Sequence, residues 1–116
     1  MGYIRHQGII ATSSDNSDIG GKHNTALARE KALELGLPCS EIVRGTTNRY
    51  TSFLIAPDGS KEGWEASNVQ EAKRKEWIEW ARKSGLYLDW ACVSFGGDDP
   101  ELATLEDWNS RENRDA

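Results

Sequence analysis

Tyr50-Thr-Ser-Phe-Leu-Ile-Ala-Pro-Asp-Gly-Ser-Lys-Glu-Gly-Trp64 is the stretch that decides the fold. Phe53-Leu54-Ile55-Ala56 is a continuous apolar run, not an alternation. Such a run suits a strand buried on both faces, so it belongs at the centre of a sheet. Pro57 cannot donate to a ladder, and Pro57-Asp58-Gly59 is a turn signal, so the strand ends there.

On the N-terminal side of this strand, Glu41–Arg44 reads as a short strand, and Gly45-Thr46-Thr47-Asn48 turns it into an antiparallel hairpin. Before it, a helix ends at Leu35, with Gly36 as its stop and Leu37-Pro38 barring continuation. Ala26, Ala28, Ala32, Leu33 and Leu35 form its expected apolar face, with Leu27 off it. Its start is open. Asp15, Ser17 or Asp18 could cap a long version, but Gly20-Gly21 inside a helix would cost about 1 kcal/mol each. A shorter helix from Asn24 is as good. Gly2–Thr12 reads as the first strand, with Gly8 marking a bulge or close approach.

On the C-terminal side, Ser67 and Gln70 match a capping box. The helix they open runs to Ser84, with Gly85 as its stop. Val69, Ala72, Trp77, Trp80 and Ala81 are its expected buried side. Leu86–Phe95 reads as a fourth strand. Asp99-Pro100 then suggests an N-cap and N1 for a short helix to Trp108, with Leu102, Leu105 and Trp108 as its apolar stripe. Residues 109–116 read as disordered. The order β-α-β-β-α-β implies a ferredoxin-like α+β sandwich over 1–97: a four-stranded antiparallel sheet with two helices on one face. Strands one and three would be central. Residues 98–116 form an acidic C-terminal segment.

The chain has 116 residues, 37% hydrophobic and 28% charged, as in a soluble globular domain. It has no run of membrane-spanning length and no signal-peptide pattern, so a cytoplasmic location is expected. His6 breaks the myristoylation motif. Cys39 and Cys92 are expected as reduced thiols. No Cys/His spacing suggests a metal, and no cofactor is implied. The net charge of −5 sits in the acidic segment: residues 1–97 carry twelve basic and twelve acidic side chains, and 98–116 carry two and seven. A neutral body argues against direct nucleic-acid binding.

MGYIRHQGIIAT, PDGSKEGWEAS and LDWACVSFGGDD resemble stretches of small, uncharacterised bacteriophage-encoded proteins. The likeness covers about a third of the chain. It implies a phage origin and expression in the bacterial host's cytoplasm. It implies no activity.

Candidate sites follow from residue types. Gly20-Gly21-Lys22 between strand and helix could cradle a phosphate. The P-loop pattern fails at Asn16 and His23, and a plain turn is the better reading. Tyr3 with Tyr50 or Phe53 could stack bases, but the Gly-aromatic-Gly order of RNA-binding sheets is missing. Alternation puts Tyr3, Arg5 and Gln7 on the open sheet face, and His6 in the core with Ile4, Gly8 and Ile10. Ser94 with Asp89 and a histidine is the sole imaginable nucleophilic set, with no supporting spacing. Lys61, Glu62 and Trp64 make a charged loop, with Trp64 either a site or a lid on the sheet edge. Trp90 belongs to the core.

The reading that results is a non-catalytic phage accessory protein acting by binding. The leading expectation is inhibition of a host protein, of CRISPR or restriction type. The acidic residues Asp98, Asp99, Glu101, Glu106 and Asp107, with Trp108, would meet a basic partner or mimic nucleic-acid charge. The alternative is sequestration of a nucleotide signal by Tyr3, Arg5, Arg44, Arg49, Tyr50, Lys61 and Trp64. A third, an enzyme on nucleotides, lacks a catalytic set. Self-association is left open.

Overall fold

The computed structural model describes residues 4–14, 18–19, 22–61, 63–98, 100–101 and 103–110. Tyr3, Asp15, Ser17, Gly20, Gly21, Glu62, Asp99, Leu102 and residues 111–116 lie outside these residues.

The protein is α+β. Strand β1 spans His6–Ser14, and β2 (Asp18–Ile19) and β3 (Lys22–His23) form a minimal hairpin. Helix α1 follows at Asn24–Glu34, then β4 (Val43–Arg44), β5 (Tyr50–Ile55), α2 (Glu65–Lys83), β6 (Asp89–Phe95) and β7 (Ala103–Asn109). One five-stranded antiparallel sheet runs β4-β5-β1-β6-β7. The first and third expected strands, β1 and β5, are neighbours inside it, as expected.

The core lies between one face of the sheet and both helices. Ala11 is in register with Phe53 on one side and Trp90 on the other. A small residue flanked by two large ones leaves a pit, and Trp77 of α2 fills it. Its ring meets Phe53 at 6.4 Å and Trp90 at 6.0 Å, both edge-on, the geometry aromatic quadrupoles favour. The buried indole donates to the Ala28 carbonyl at 3.0 Å, which ties α2 to α1. Ala28 and Ala32 let α1 approach closely. Gly8 faces a close approach as expected: a Cβ there would stand 3.1 Å from the Ile55 carbonyl and 3.4 Å from the Pro57 ring.

Several expectations need correction. The segment read as a C-terminal helix is strand β7, so the sheet has five strands rather than four. Leu105 and Trp108 are three apart, a helical spacing. A bulge at Glu106, opposite the Cys92/Val93 step, produces the same result in a strand. Leu105 pairs with Val93 and Trp108 with Ala91, so both side chains share a face. The turn into β7 depends on Gly96 and Gly97, both at positive φ (62° and 71°), where a Cβ on Gly97 would collide with Ile4. Asn109 is paired with Trp90 and belongs to β7.

Helix α1 takes its short form from Asn24, because the hairpin β2-β3 occupies the residues before it. Its inner face includes Leu27 and excludes Leu33, which is 46% exposed. Helix α2 begins at Glu65, with Trp64 at the N-cap, three residues ahead of the Ser67 that the capping box puts there. Val69 and Ala72 face outward, and the buried positions are Arg74, Trp77 and Ala81. Cys39, Ile55, Ile9 and Cys92 follow one another across adjacent strands. Three strand spacings put the cysteines about 14 Å apart, too far for a disulfide, and both are free thiols. Burial pushes both thiols above the ordinary cysteine range.

Candidate functional site: the open face of the sheet

The helices cover one sheet face only. In β1, Ile9, Ala11 and Ser13 are buried, while Ile10 is 51% exposed. In β5, Phe53 and Ile55 are buried and Leu54 is 40% exposed. The run expected to be buried on both faces is therefore covered on one.

Register builds the other face into a continuous surface. Leu54, Ile10, Ala91 and Trp108 stand side by side across four strands. Val93 and Leu105 form the next row, then His6 with Phe95 and Ala103. Trp108, Leu105 and Phe95 are 51%, 56% and 42% exposed. Beside Trp108, a shallow hollow of about 320 Å³ opens among Ile10, Thr12, Ala91 and Leu105. The one charged side chain among the described residues of these rows and their extensions is Asp89, at one end.

His6 belongs to this surface, not to the core. Its ring lies 5.4 Å from that of Phe95. Arg5 and Gln7 have the opposite placement from that expected: they lie on the helix side. The parity follows from Ile9 and Ala11, whose neighbours Phe53, Ile55, Trp90 and Cys92 are the bulky core residues, so Ile10 and His6 must face out. Arg5 and Gln7 line a polar cleft of about 340 Å³ with Asp58, Ser60, Arg74 and Glu106. There the buried Arg74 guanidinium donates to Gln7 Oε1 at 2.9 Å and pairs with Asp58 at 3.4 Å.

The residues expected to hold a nucleotide do not converge. Arg44 and Tyr50 lie in the β4-β5 hairpin, with Tyr50 opposite Ser14 at the far end of β1 from Arg5. Nine residues of extended chain make that separation about 30 Å. Arg49 sits in the hairpin turn at φ 58°. Trp64 is no lid: it is 51% exposed, with the Lys61 ammonium 5.7 Å above its ring.

Two of the acidic residues have local tasks. Asp98 accepts from the Ile4 amide at 2.8 Å, and its own amide donates to the Ile4 carbonyl at 2.7 Å, closing the β6-β7 turn onto the segment ahead of β1. Asp107 pairs with Arg82 of α2, and that hydrogen bond holds its carboxyl below the usual range. The same guanidinium lies 5.2 Å over the Trp90 ring. Glu101 and Glu106 are exposed. Ser94 is buried on the helix side and Asp89 is on the open side, so they form no catalytic pair. Among the described residues, no three His, Cys, Asp or Glu side chains gather as metal ligands would. No helix among them is long and apolar enough to cross a membrane.

Reasoning from the sequence missed Ile10, Leu54, Val93, Phe95 and Leu105 as surface residues. The signal was present: Ile9-Ile10 and Phe53-Leu54-Ile55 are apolar at both parities, yet two helices on one side can cover only one. No family model matches the sequence, and no curated protein or solved structure matches it either.

Proposed function

We propose that this protein works by binding, and that the open sheet face is where a partner protein docks. The observation that carries this is the row Leu54–Ile10–Ala91–Trp108, a half-exposed apolar band in strands whose sequence is patterned for burial on both faces. A contiguous apolar patch of this kind marks an interaction surface. Trp108 is the natural anchor, since exposed aromatics dominate interface energetics. The acidic rim of Asp98, Glu101 and Glu106 would steer a basic partner.

The order β4-β5-β1-β6 is that of a split βαβ unit, and we take the fold as ferredoxin-like with β7 added at one edge. The resemblance to phage-encoded stretches supports a host protein in the bacterial cytoplasm as the partner. Counter-defence, by masking a CRISPR or restriction component, is the role that best fits a small non-catalytic chain of this kind.

The test is affinity for a captured host protein, measured with purified components. Ile10→Asp should weaken binding tenfold or more, and Val69→Asp on the outer side of α2 should not. Equal affinity of the Ile10→Asp variant would count against the reading. Sequestration of a nucleotide keeps one point of support, the cleft beside Arg5 and Arg74. A melting shift with a nucleotide, lost in Arg5→Ala, would favour it.

A further inference from the structure

The sheet ends differently at its two edges. At one edge β4 has two residues, the blunt edge that guards against stray pairing. At the other, β7 has seven, and no described strand pairs with its outer side. A strand of that length in an edge position presents a row of backbone donors and acceptors to another chain.

The side chains beside that edge define what would pair there. Leu105 and Trp108 stand on the open face, about half exposed. On the other side are Thr104, the bulged Glu106, and Asp107 with its Arg82 partner. From Asp98 to Ser110 there are five acidic residues and no basic one. A second copy of this chain would bring like charge against like charge, which opposes self-pairing.

We propose that the outer edge of β7 takes an extended segment of the partner as a sixth strand. That segment alternates apolar residues, which pack beside Leu105 and Trp108, with Lys or Arg, which meet Glu106 and the acidic turn. This rests on the open face being a protein-docking surface and adds the partner's chemistry. Backbone pairing supplies the alignment, and the alternating side chains supply the selectivity.

Amide hydrogen exchange on the whole protein tests it, with two capped nonapeptides as probes: one alternating Lys and Val, the other Glu and Val. The Lys/Val peptide should slow exchange of alternate amides within 103–109 at least tenfold. The effect should fade as salt rises and fall tenfold or more in Glu101→Lys/Glu106→Lys. Absence of protection in β7 up to millimolar Lys/Val peptide would overturn it, as would equal protection by the Glu/Val peptide. So would a free protein of twice the chain mass whose β7 amides already exchange slowly, since a second copy would then hold the edge. If the host partner binds and Ile10→Asp abolishes that binding, while β7 amides stay unprotected in the complex, the docking face stands and this inference falls.

Discussion

Neighbouring residues with opposite fates give the sharpest checks on this structure. Phe53 and Leu54 are both apolar, but the Phe53 ring packs on Trp77 while Leu54 faces out. Phe53→Asp should cost roughly 3–5 kcal/mol and unfold much of the protein, because a carboxylate would be buried without a partner. Leu54→Asp should leave a cooperative thermal transition, shifted only slightly. Chemical denaturation of the two variants decides whether the parity of β5 is right. Asp107 offers a pH test. Its pKa is depressed in the folded state by the Arg82 hydrogen bond, so its stabilisation is present above its unfolded value near 3.8 and is lost as pH falls through the folded value. Wild type should therefore melt higher than Asp107→Asn at neutral pH, and the gap should close as the solution becomes strongly acidic. A gap that widened in acid would contradict the pairing.

Among the elements, β7 is where sequence and structure diverge most. Leu102, Leu105 and Trp108 have helical spacing, and Asp99-Pro100 looks like a helix start, so local signals favoured a helix. What decided otherwise is long-range: β6 had an unpaired edge, the two glycines turn the chain back on it, and the bulge places Leu105 and Trp108 on one face. None of these can be read from a window of ten residues. By contrast, α1's stop at Gly36, α2's stop at Gly85 and the β4-β5 hairpin were legible, because each depends on a single turn's chemistry. Deleting Glu106 should remove the bulge and leave a regular ladder, with Leu105 still opposite Val93, Asp107 opposite Cys92 and Trp108 opposite Ala91 on the open face. The pairing is unchanged, so the change in stability should stay within about 1 kcal/mol, and a larger loss would contradict this register. Ending the chain after Gly97 should be worse, since it strips β6 of its partner strand and Ile4 of the Asp98 contacts. Unchanged melting of this truncated chain would mean that β7 contributes little to the fold.

The whole molecule is lopsided: two helices and an aromatic core on one side of the sheet, an apolar face on the other. The sequence carried this asymmetry in its doubly apolar runs, and the candidate surface followed once the number of covering helices was known. The charged candidates were less legible, because Asp98 and Asp107 are taken up by contacts between segments far apart in the chain. The acidic segment and the open face, which looked like rival surfaces, meet at β7. The most direct measurement of the central claim is photo-crosslinking in the cell where the protein acts. A benzophenone side chain would be placed singly at Ile10, Leu54 and Trp108, and, as a comparison, at Glu76 and Val69 on α2. If the open face is the docking surface, the three sheet positions give one common adduct with another protein and the helix positions give none. Adducts from α2 alone, or the same adduct from both sides, would contradict it.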